Sequence, residues 1–380
     1  MCIRDSFHRA LESIPVPAAD RLQTPLLAFG VYDVVLAWDH QQQRAWLITQ
    51  AWRNAAQRHQ KFFDLLQTAA APQPFASANQ SSDASGSRIN LPGFASLPGR
   101  EGVLSNFTQE SYLAAVQQAI DSIHAGDIFQ VNLAQTLLVA AQTSSLDLYG
   151  KLRQCNPAPF GGYFDFGDGQ IVSASPERFV SVRDDLIETR PIKGTRLRSG
   201  LPSVDRGTKA ELLASEKDRA ENIMIVDLMR NDLSRICHDD SVRVTQLCQL
   251  EEYQSVMHLV SAVEGRLQTG GNLPGTLLPA IFPAGSITGA PKCRSMEIIS
   301  ELEPDARGAY CGSLGYFAAG GAVDLNVMIR TITAAKGWWQ IPVGGGIVSE
   351  SVPRREYQET WTKAASMLEA VETVSGSCVN

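Results

Sequence analysis

Seven strand-like stretches, four within residues 128–190 and three within 313–343, constrain this chain more than any other feature. The first four are 128–139, 162–166, 171–182 and 186–190. The later three, 313–318, 323–333 and 338–343, are joined by turns at Gly320-Gly321 and Lys336-Gly337. Helical stretches interrupt these runs. Residues 108–125 carry Tyr112, Val116, Ile120 and Ile123 on one stripe and stop at Gly126. Residues 208–230 form a longer helical block. Another helix starts at Ala290-Pro291, since proline suits the first helical position, and a last one spans 353–372. Strand runs broken by helices predict an α+β fold of two packed, mostly antiparallel β-sheets with helices outside.

The sequence ahead of this body differs in kind. Residues 25–50 are extended, with Leu26, Ala28, Val31, Val34, Leu36, Trp46 and Ile48 alternating with polar neighbours around a turn near Asp39-His40, and 51–66 reads as a helix. Residues 68–100 are rich in Ala, Pro, Ser and Gly and poor in large apolar side chains, the composition of a mobile linker. The expected division is an N-terminal remnant at 1–67, a flexible linker at 68–104 and the main domain at 105–375. Met1-Cys2-Ile3-Arg4-Asp5-Ser6 has no signal-peptide layout and prepares nothing that follows, as an added or assembled start would not. The net charge of −7, without any basic run, argues against nucleic acid as a partner. No apolar stretch approaches the length of a membrane span. The 7 cysteines are scattered, odd in number and lack a CxxC pair, which predicts reduced thiols in a cytoplasmic protein.

Chemistry concentrates in a few places. In Arg190-Pro191-Ile192-Lys193-Gly194-Thr195-Arg196, Lys193 sits between apolar or small residues where a strand is expected to run out into a turn. An amine that loses hydration there is partly a free nucleophile at neutral pH, whereas an exposed one would be an ordinary turn lysine. Asp218 and Glu221 lie three apart on one helical face, and Glu356 and Glu359 repeat the spacing, with Lys363 one turn later. Four carboxylates converging on a point need a hard cation, and an all-oxygen set suits Mg²⁺. Two solvated helix faces would show the same spacing. Gly344-Gly345-Gly346-Ile347 reads as a loop after a strand, able to bring backbone N–H groups close to an anion or simply to turn. The segment from Phe282 to Lys292 lacks GxxxxGK[ST] spacing, so nucleotide binding is rejected there. Neither a GxCxG nor a GxSxG elbow is present, so a built-in glutaminase or hydrolase is unsupported.

Taken in order, several blocks resemble the chorismate-utilising enzymes, which include anthranilate, aminodeoxychorismate, isochorismate and salicylate synthases. They are Ile128-Phe129-Gln130-Val131-Asn132-Leu133, Ser175-Pro176-Glu177-Arg178-Phe179, Pro191-Ile192-Lys193-Gly194-Thr195 and the run from Glu221 to Leu228. Arg230-Asn231-Asp232-Leu233, the run from Gly285 to Lys292, and Gly344-Gly345-Gly346-Ile347-Val348 complete the set. The resemblance spans Asn106 to Glu372 and implies an anthranilate synthase component I-like fold, with 105–375 as the chorismate-binding catalytic domain. It further implies that Glu221 and Glu359 hold Mg²⁺ directly, with Asp218 and Glu356 supporting through water, and that the metal clamps the ring carboxylate of chorismate. Tyr310 and Arg330 would hold the enolpyruvyl carboxylate, helped by the backbone of Gly344, Gly345 and Gly346 and by Lys363; a guanidinium fork suits that task. Glu177 would be the general acid for the departing C4 hydroxyl. Gln130, Gly194, Thr195 and His258 would line the pocket, although His258 by itself reads as a packed core histidine.

Two positions sort the branches of this family. Water-adding members place a lysine where this chain has Gln130, and anthranilate synthases typically carry alanine where it has Lys193. A lysine there is the mark of aminodeoxychorismate synthase component I, on the para-aminobenzoate branch of folate biosynthesis. The implied chemistry is covalent, with Lys193 adding to chorismate before ammonia replaces it, and a glutamine amidotransferase subunit supplying the ammonia. The alternatives are an anthranilate synthase component I and, from another class, a truncated protein that holds chorismate or its partner without turnover. Members usually have a longer N-terminal portion with a tryptophan-binding pocket. Recognisable sequence here starts near Pro25, which predicts truncation and an exposed sheet edge.

Overall fold

The computed structural model describes residues 1–5, 7, 14, 15, 17, 19–51, 54–68, 93–97, 99–253, 256–268 and 273–376. Most of the linker expected at 68–104 lies outside them. By Cα proximity the chain divides into two units, Met1–Ala28 with Leu91–Asn380, and Phe29–Asn90. The divide falls at 28 because Cys2–Ile3 pairs with Leu314 and Ser313 on one side and with Ala28 and Leu27 on the other. The smaller unit contains the hairpin Val34–Asp39/Arg44–Thr49 and the helix Ala55–Thr68. The apolar residues expected to alternate inward there are largely exposed, Val31 at 78% and Ile48 at 48%.

The larger unit has the expected α+β architecture of two antiparallel sheets with packed helices. The first sheet has the order Ile192–Leu197, Val256–Arg266, Leu186–Thr189, Arg178–Arg183, Val323–Asn326, Ser313–Phe317, Cys2–Ile3, Leu27–Ala28, with Arg243–Glu252 also on Val256–Arg266. The second runs Ala95–Leu97, Arg100–Ser105, Gln130–Ala140, Trp338–Ile347, Thr331–Ala335, Gly169–Ser173, Gly162–Asp165, with Gly289–Ala290 added to Gln130–Ala140. Residues 130–138 are buried in succession, as a central strand covered on both faces requires. Leu148, Leu152, Ala364, Met367 and Leu368 of the helices Ser145–Cys155 and Pro353–Ser375 share an apolar cluster with Leu137, Val172 and Ile341 of this sheet. Ile225, Val226 and Met229 of the helix Glu216–Ser234 pack instead with Phe179, Val180 and Val263 of the first sheet.

Several local expectations are corrected. The helical block at 208–230 is two helices, Pro202–Ala214 and Glu216–Ser234, parted at Ser215, whose hydroxyl accepts from Asp218 N–H and caps the second. The stretches 171–182 and 323–333 each divide into two strands around the segments that carry Glu177 and Arg330. Gly344-Gly345-Gly346 is no loop. It belongs to the strand Trp338–Ile347 and pairs with Ala134, Leu133 and Asn132.

Candidate active site

Lys193 lies within a strand, Ile192–Leu197, and not at the turn the sequence suggests. The ladder to Val256–Arg266 slips between Lys193 and Thr195, so Gly194 forms a bulge at φ +70°. A methyl group on Gly194 would sit 2.9 Å from Leu212 Cδ1 and 3.0 Å from Asp218 Cβ, besides forcing an L side chain into the left-handed region. Gly194→Ala is therefore expected to cost roughly 1–3 kcal/mol, read as a lower urea midpoint at unchanged slope, and to displace Lys193. An unchanged midpoint would show that the bulge needs no glycine.

The bulge leaves Lys193 with only 13% of its side chain exposed, Nζ 3.9 Å from Glu221 Oε2. The amine also donates to the main-chain oxygen of Ser286 at 3.4 Å. Across from it lies the Gly344–Gly346 strand. A methyl group at position 346 would come within 2.7 Å of Gln130 Nε2 and 3.6 Å of Lys193 Nζ, so the glycine keeps open the space that these two side chains face. Gln130 is fully buried, and neither amide atom has a hydrogen-bond partner among the described residues. A buried amide left unmatched costs about 1–3 kcal/mol, so its oxygen and nitrogen are open to a partner that offers both a donor and an acceptor.

Glu177 sits in the turn between Gly169–Ser173 and Arg178–Arg183. The Ser175 hydroxyl pins it, accepting Glu177 N–H at 3.2 Å and donating to Val327 O at 2.6 Å. Burial pushes the carboxyl up to about 7, against the opposing pull of the Ser286 hydroxyl, the Lys193 charge and the Ile192 N–H. A carboxylic acid at that value holds a proton for donation near neutral pH.

The two carboxylate pairs face each other on the helices Glu216–Ser234 and Pro353–Ser375. Glu221 is pushed up by burial, with Asp218 and Glu359 adding to the effect against Lys193 and Lys217. Glu356, 6% exposed, is likewise raised by burial and accepts the Ser351 hydroxyl at 2.7 Å. Lys217 Nζ stands 3.9 Å from both Glu221 Oε1 and Glu356 Oε1, and Lys363 Nζ lies 2.6 Å from Glu359 Oε1. Asp218 is engaged by Arg196 at 3.2 Å. With ammonium groups interposed, no group of three or more His, Cys, Asp or Glu side chains among the described residues is placed to hold a metal ion.

Gly345 faces these charges, with Lys363 Nζ, Glu359 Oε1 and Glu356 Oε2 within 3.7 Å of where its Cβ would stand. Lys363 Nζ also donates to Gly344 O at 2.8 Å. Arg330, at φ +52°, bonds the Lys363 carbonyl and has no carboxylate within ion-pairing distance among the described residues. Burial lowers the proton affinity of its guanidinium, against the opposing effect of Tyr310 and Glu359. Tyr310 is buried, hydrogen-bonded to Asn132, and its electrostatic effect reaches Arg330. His258 holds Thr195 Oγ1 through Nδ1 at 3.0 Å; burial and, secondarily, Arg330 keep it near 4, hence neutral.

Every residue singled out from the sequence thus falls in one connected region of the larger unit. Sequence reading assigned Ser286 and Lys217 no role, yet both touch that region. No helix among the described residues is long and apolar enough to cross a membrane, and the described cysteines are free thiols. A cleft of about 520 Å³ lined by Leu97, Arg100, Phe107, Glu110, Tyr357 and Trp361 includes none of the predicted site residues.

The profile of the chorismate binding enzymes matches residues 5–369, reaching far upstream of Asn106. Anthranilate synthase component 1 of Thermus thermophilus is 40% identical over 364 residues, 96% of this chain and 75% of that protein. Aminodeoxychorismate synthase component 1 of Bacillus subtilis is 38% identical over 369 residues, with the same coverage of 96% and 75%. The crystal structure of anthranilate synthase component I from Streptococcus pneumoniae superposes with a TM-score of 0.82 at 32% identity, covering 96% of this chain and 79% of that one.

Proposed function

The chain belongs to the chorismate binding enzyme family, and from that premise we propose that it is an aminodeoxychorismate synthase component I, aminating chorismate at C4. Relatives named for the anthranilate and the aminodeoxychorismate reactions are almost equally similar, so similarity does not choose between them. The observation that carries the choice is Lys193, an amine held beside the buried acid Glu177 and the space kept open by Gly346. Gln130, where water-adding members carry a lysine base, supports ammonia over water as the incoming group.

In the proposed sequence Lys193 first passes its proton to the Glu177 carboxylate, and the free amine then bonds to C2 of the ring. The two ring double bonds shift along the diene, the C4–O bond breaks, and the hydroxyl leaves as water with the Glu177 proton. Ammonia then bonds to C4, the double bonds return, and the C2–N bond breaks to release Lys193. The surplus proton on the new amine goes back to Glu177. Dividing one hard displacement into two easier ones is the gain of nucleophilic catalysis. Arg330, Tyr310 and Lys363 supply the positive and hydrogen-bonding groups for carboxylates.

Glu221, Glu356, Glu359 and Asp218 offer only oxygen donors, the chemistry Mg²⁺ takes, but each faces a lysine or arginine, so the ion would bind by displacing these cations. Glu221 and Glu359 would hold the ion directly, and it would neutralise the substrate's ring carboxylate. Ammonia would come from a glutamine amidotransferase subunit in the cytoplasm, a reading supported by relatives that are named as component 1.

The test is incubation with chorismate, Mg²⁺ and ammonium salt. The expected product by mass is 4-amino-4-deoxychorismate. Glutamine alone should give nothing. Anthranilate fluorescence without an added lyase would assign the other branch.

A further inference from the structure

One residue touches both the proposed acid and the proposed nucleophile. Ser286, 7% exposed, donates from Oγ to Glu177 Oε1 at 2.7 Å, and its carbonyl accepts Lys193 Nζ at 3.4 Å. Glu177 and Lys193 belong to different strands of the first sheet or the turn that enters it, whereas Ser286 reaches them from a single turn at Gly285–Ile287.

That turn is fixed from several sides. Arg307 donates to Ile287 O at 3.2 Å and also bonds Asn132 O, while Glu303 Oε1 holds its guanidinium at 2.6 Å and accepts Ala134 N–H at 2.8 Å. The Thr288 hydroxyl donates to Ala284 O at 3.1 Å. Just beyond, Lys292 Nζ binds Asp232 Oδ2 at 2.6 Å and Ile281 O at 3.2 Å. Gly285 presses so closely on the helix Glu216–Ser234 that a methyl group there would lie 2.9 Å from Met229 Cε. Ser286 therefore has little freedom to follow either partner, and each must come to it.

Resting on the function proposed above, we infer that Ser286 is the positioning residue that holds the Glu177 carboxyl and the Lys193 amine in register across one substrate ring. Its hydroxyl fixes Oε1, and the carboxyl so oriented gives its proton to the departing hydroxyl. Once that proton has gone, the same hydroxyl donates to a carboxylate. This charge-assisted bond is about twice as strong as a neutral one, so Ser286 favours the state after proton transfer over the state before it. Among the described residues, Lys193 supplies the charge that acts on Glu177, and the Ile192 N–H is its backbone donor.

The experiment compares wild type with Ser286→Ala and Ser286→Thr. Three readouts are taken: kcat and KM for chorismate with ammonia, the titration of Glu177 followed by carboxyl-labelled NMR without substrate, and thermal unfolding. For Ser286→Ala the expected result is a kcat lower by about 10- to 100-fold, the worth of one hydrogen bond to a charged group. KM should change little and the Glu177 titration should move to higher pH. Ser286→Thr keeps the hydroxyl and should return the titration towards wild type. An unmoved titration, or an unchanged kcat, in a folded alanine variant overturns the inference. A wild-type enzyme that makes anthranilate fails the functional proposal instead, while the titration still decides whether Ser286 governs the acid.

Discussion

Replacing Lys193 by alanine is expected to lower amination of chorismate at C4 by at least roughly 10³-fold, the scale seen when a covalent nucleophile is removed. Chorismate binding should survive, because Arg330, Tyr310 and Lys363 lie outside the change. The fold should survive too. The strand Ile192–Leu197 is held by its ladder to Val256–Arg266 and by Leu212 and Asp218 packing on Gly194, not by the lysine side chain. What the variant loses inside the protein is a 3.4 Å bond to Ser286 O and an ion pair at 3.9 Å to Glu221. The latter loss leaves Glu221 with Lys217 alone as a nearby cation among the described residues. Steady-state kinetics beside thermal unfolding separates these effects. Full turnover in a folded Lys193→Ala protein would remove the nucleophile role.

The second large effect concerns Glu177. Glu177→Gln keeps the shape and can still accept the Ser286 hydroxyl, but has no proton to give, so kcat should fall about 10²- to 10⁴-fold. Stability should move the opposite way, in a pH-dependent manner. The folded carboxyl titrates near 7, above its ordinary 4.5, because burial disfavours the charge. A raised value means that the folded state holds the proton more tightly than the unfolded chain does. The associated stabilisation is complete below about 4.5 and is lost as pH climbs through about 7. At pH 9 the wild type therefore carries a buried charge that the glutamine variant lacks. The variant should be more stable there by up to roughly 3 kcal/mol, because each tenfold difference in proton affinity between the folded and unfolded chain is worth about 1.4 kcal/mol. It should lose this advantage at pH 4–5. Urea unfolding at both pH values checks it, and a stability difference that ignores pH would contradict the burial argument.

The parts of the fold most legible in the sequence were those where one signal dominates. The stripe Tyr112, Val116, Ile120 ahead of Gly126 became the helix Gln109–His124, capped by Thr108. The i,i+3 carboxylates fell on two facing helices because helical periodicity fixes that geometry whatever surrounds it. Legibility failed where two signals compete. Three consecutive glycines read as a loop by composition, yet they lie in a strand where Leu133 O crowds position 344 and Gln130 crowds position 346, while position 345 opens onto Lys363, Glu359 and Glu356. The strand Arg243–Glu252 was not foreseen because most of its residues are exposed or half-buried and polar, so no clear alternation marks it. Ser286 was read only as part of the Gly285–Lys292 block, without a role, because its partners lie 93 and 109 residues away, a proximity that no local pattern encodes. Lys217 pairs locally with Glu221, four residues on, but its approach to Glu356 exists only after two helices have packed.

The most direct test of covalent amination is mass analysis of the protein incubated with chorismate and Mg²⁺ in the absence of any ammonia source, followed by peptide mapping. The expected result is an adduct of chorismate less one water, confined to the peptide containing Lys193, absent from Lys193→Ala, and discharged as 4-amino-4-deoxychorismate when ammonium salt is added. An enzyme that aminates chorismate at full rate yet never carries this adduct, or carries it on another residue, would contradict a nucleophilic Lys193.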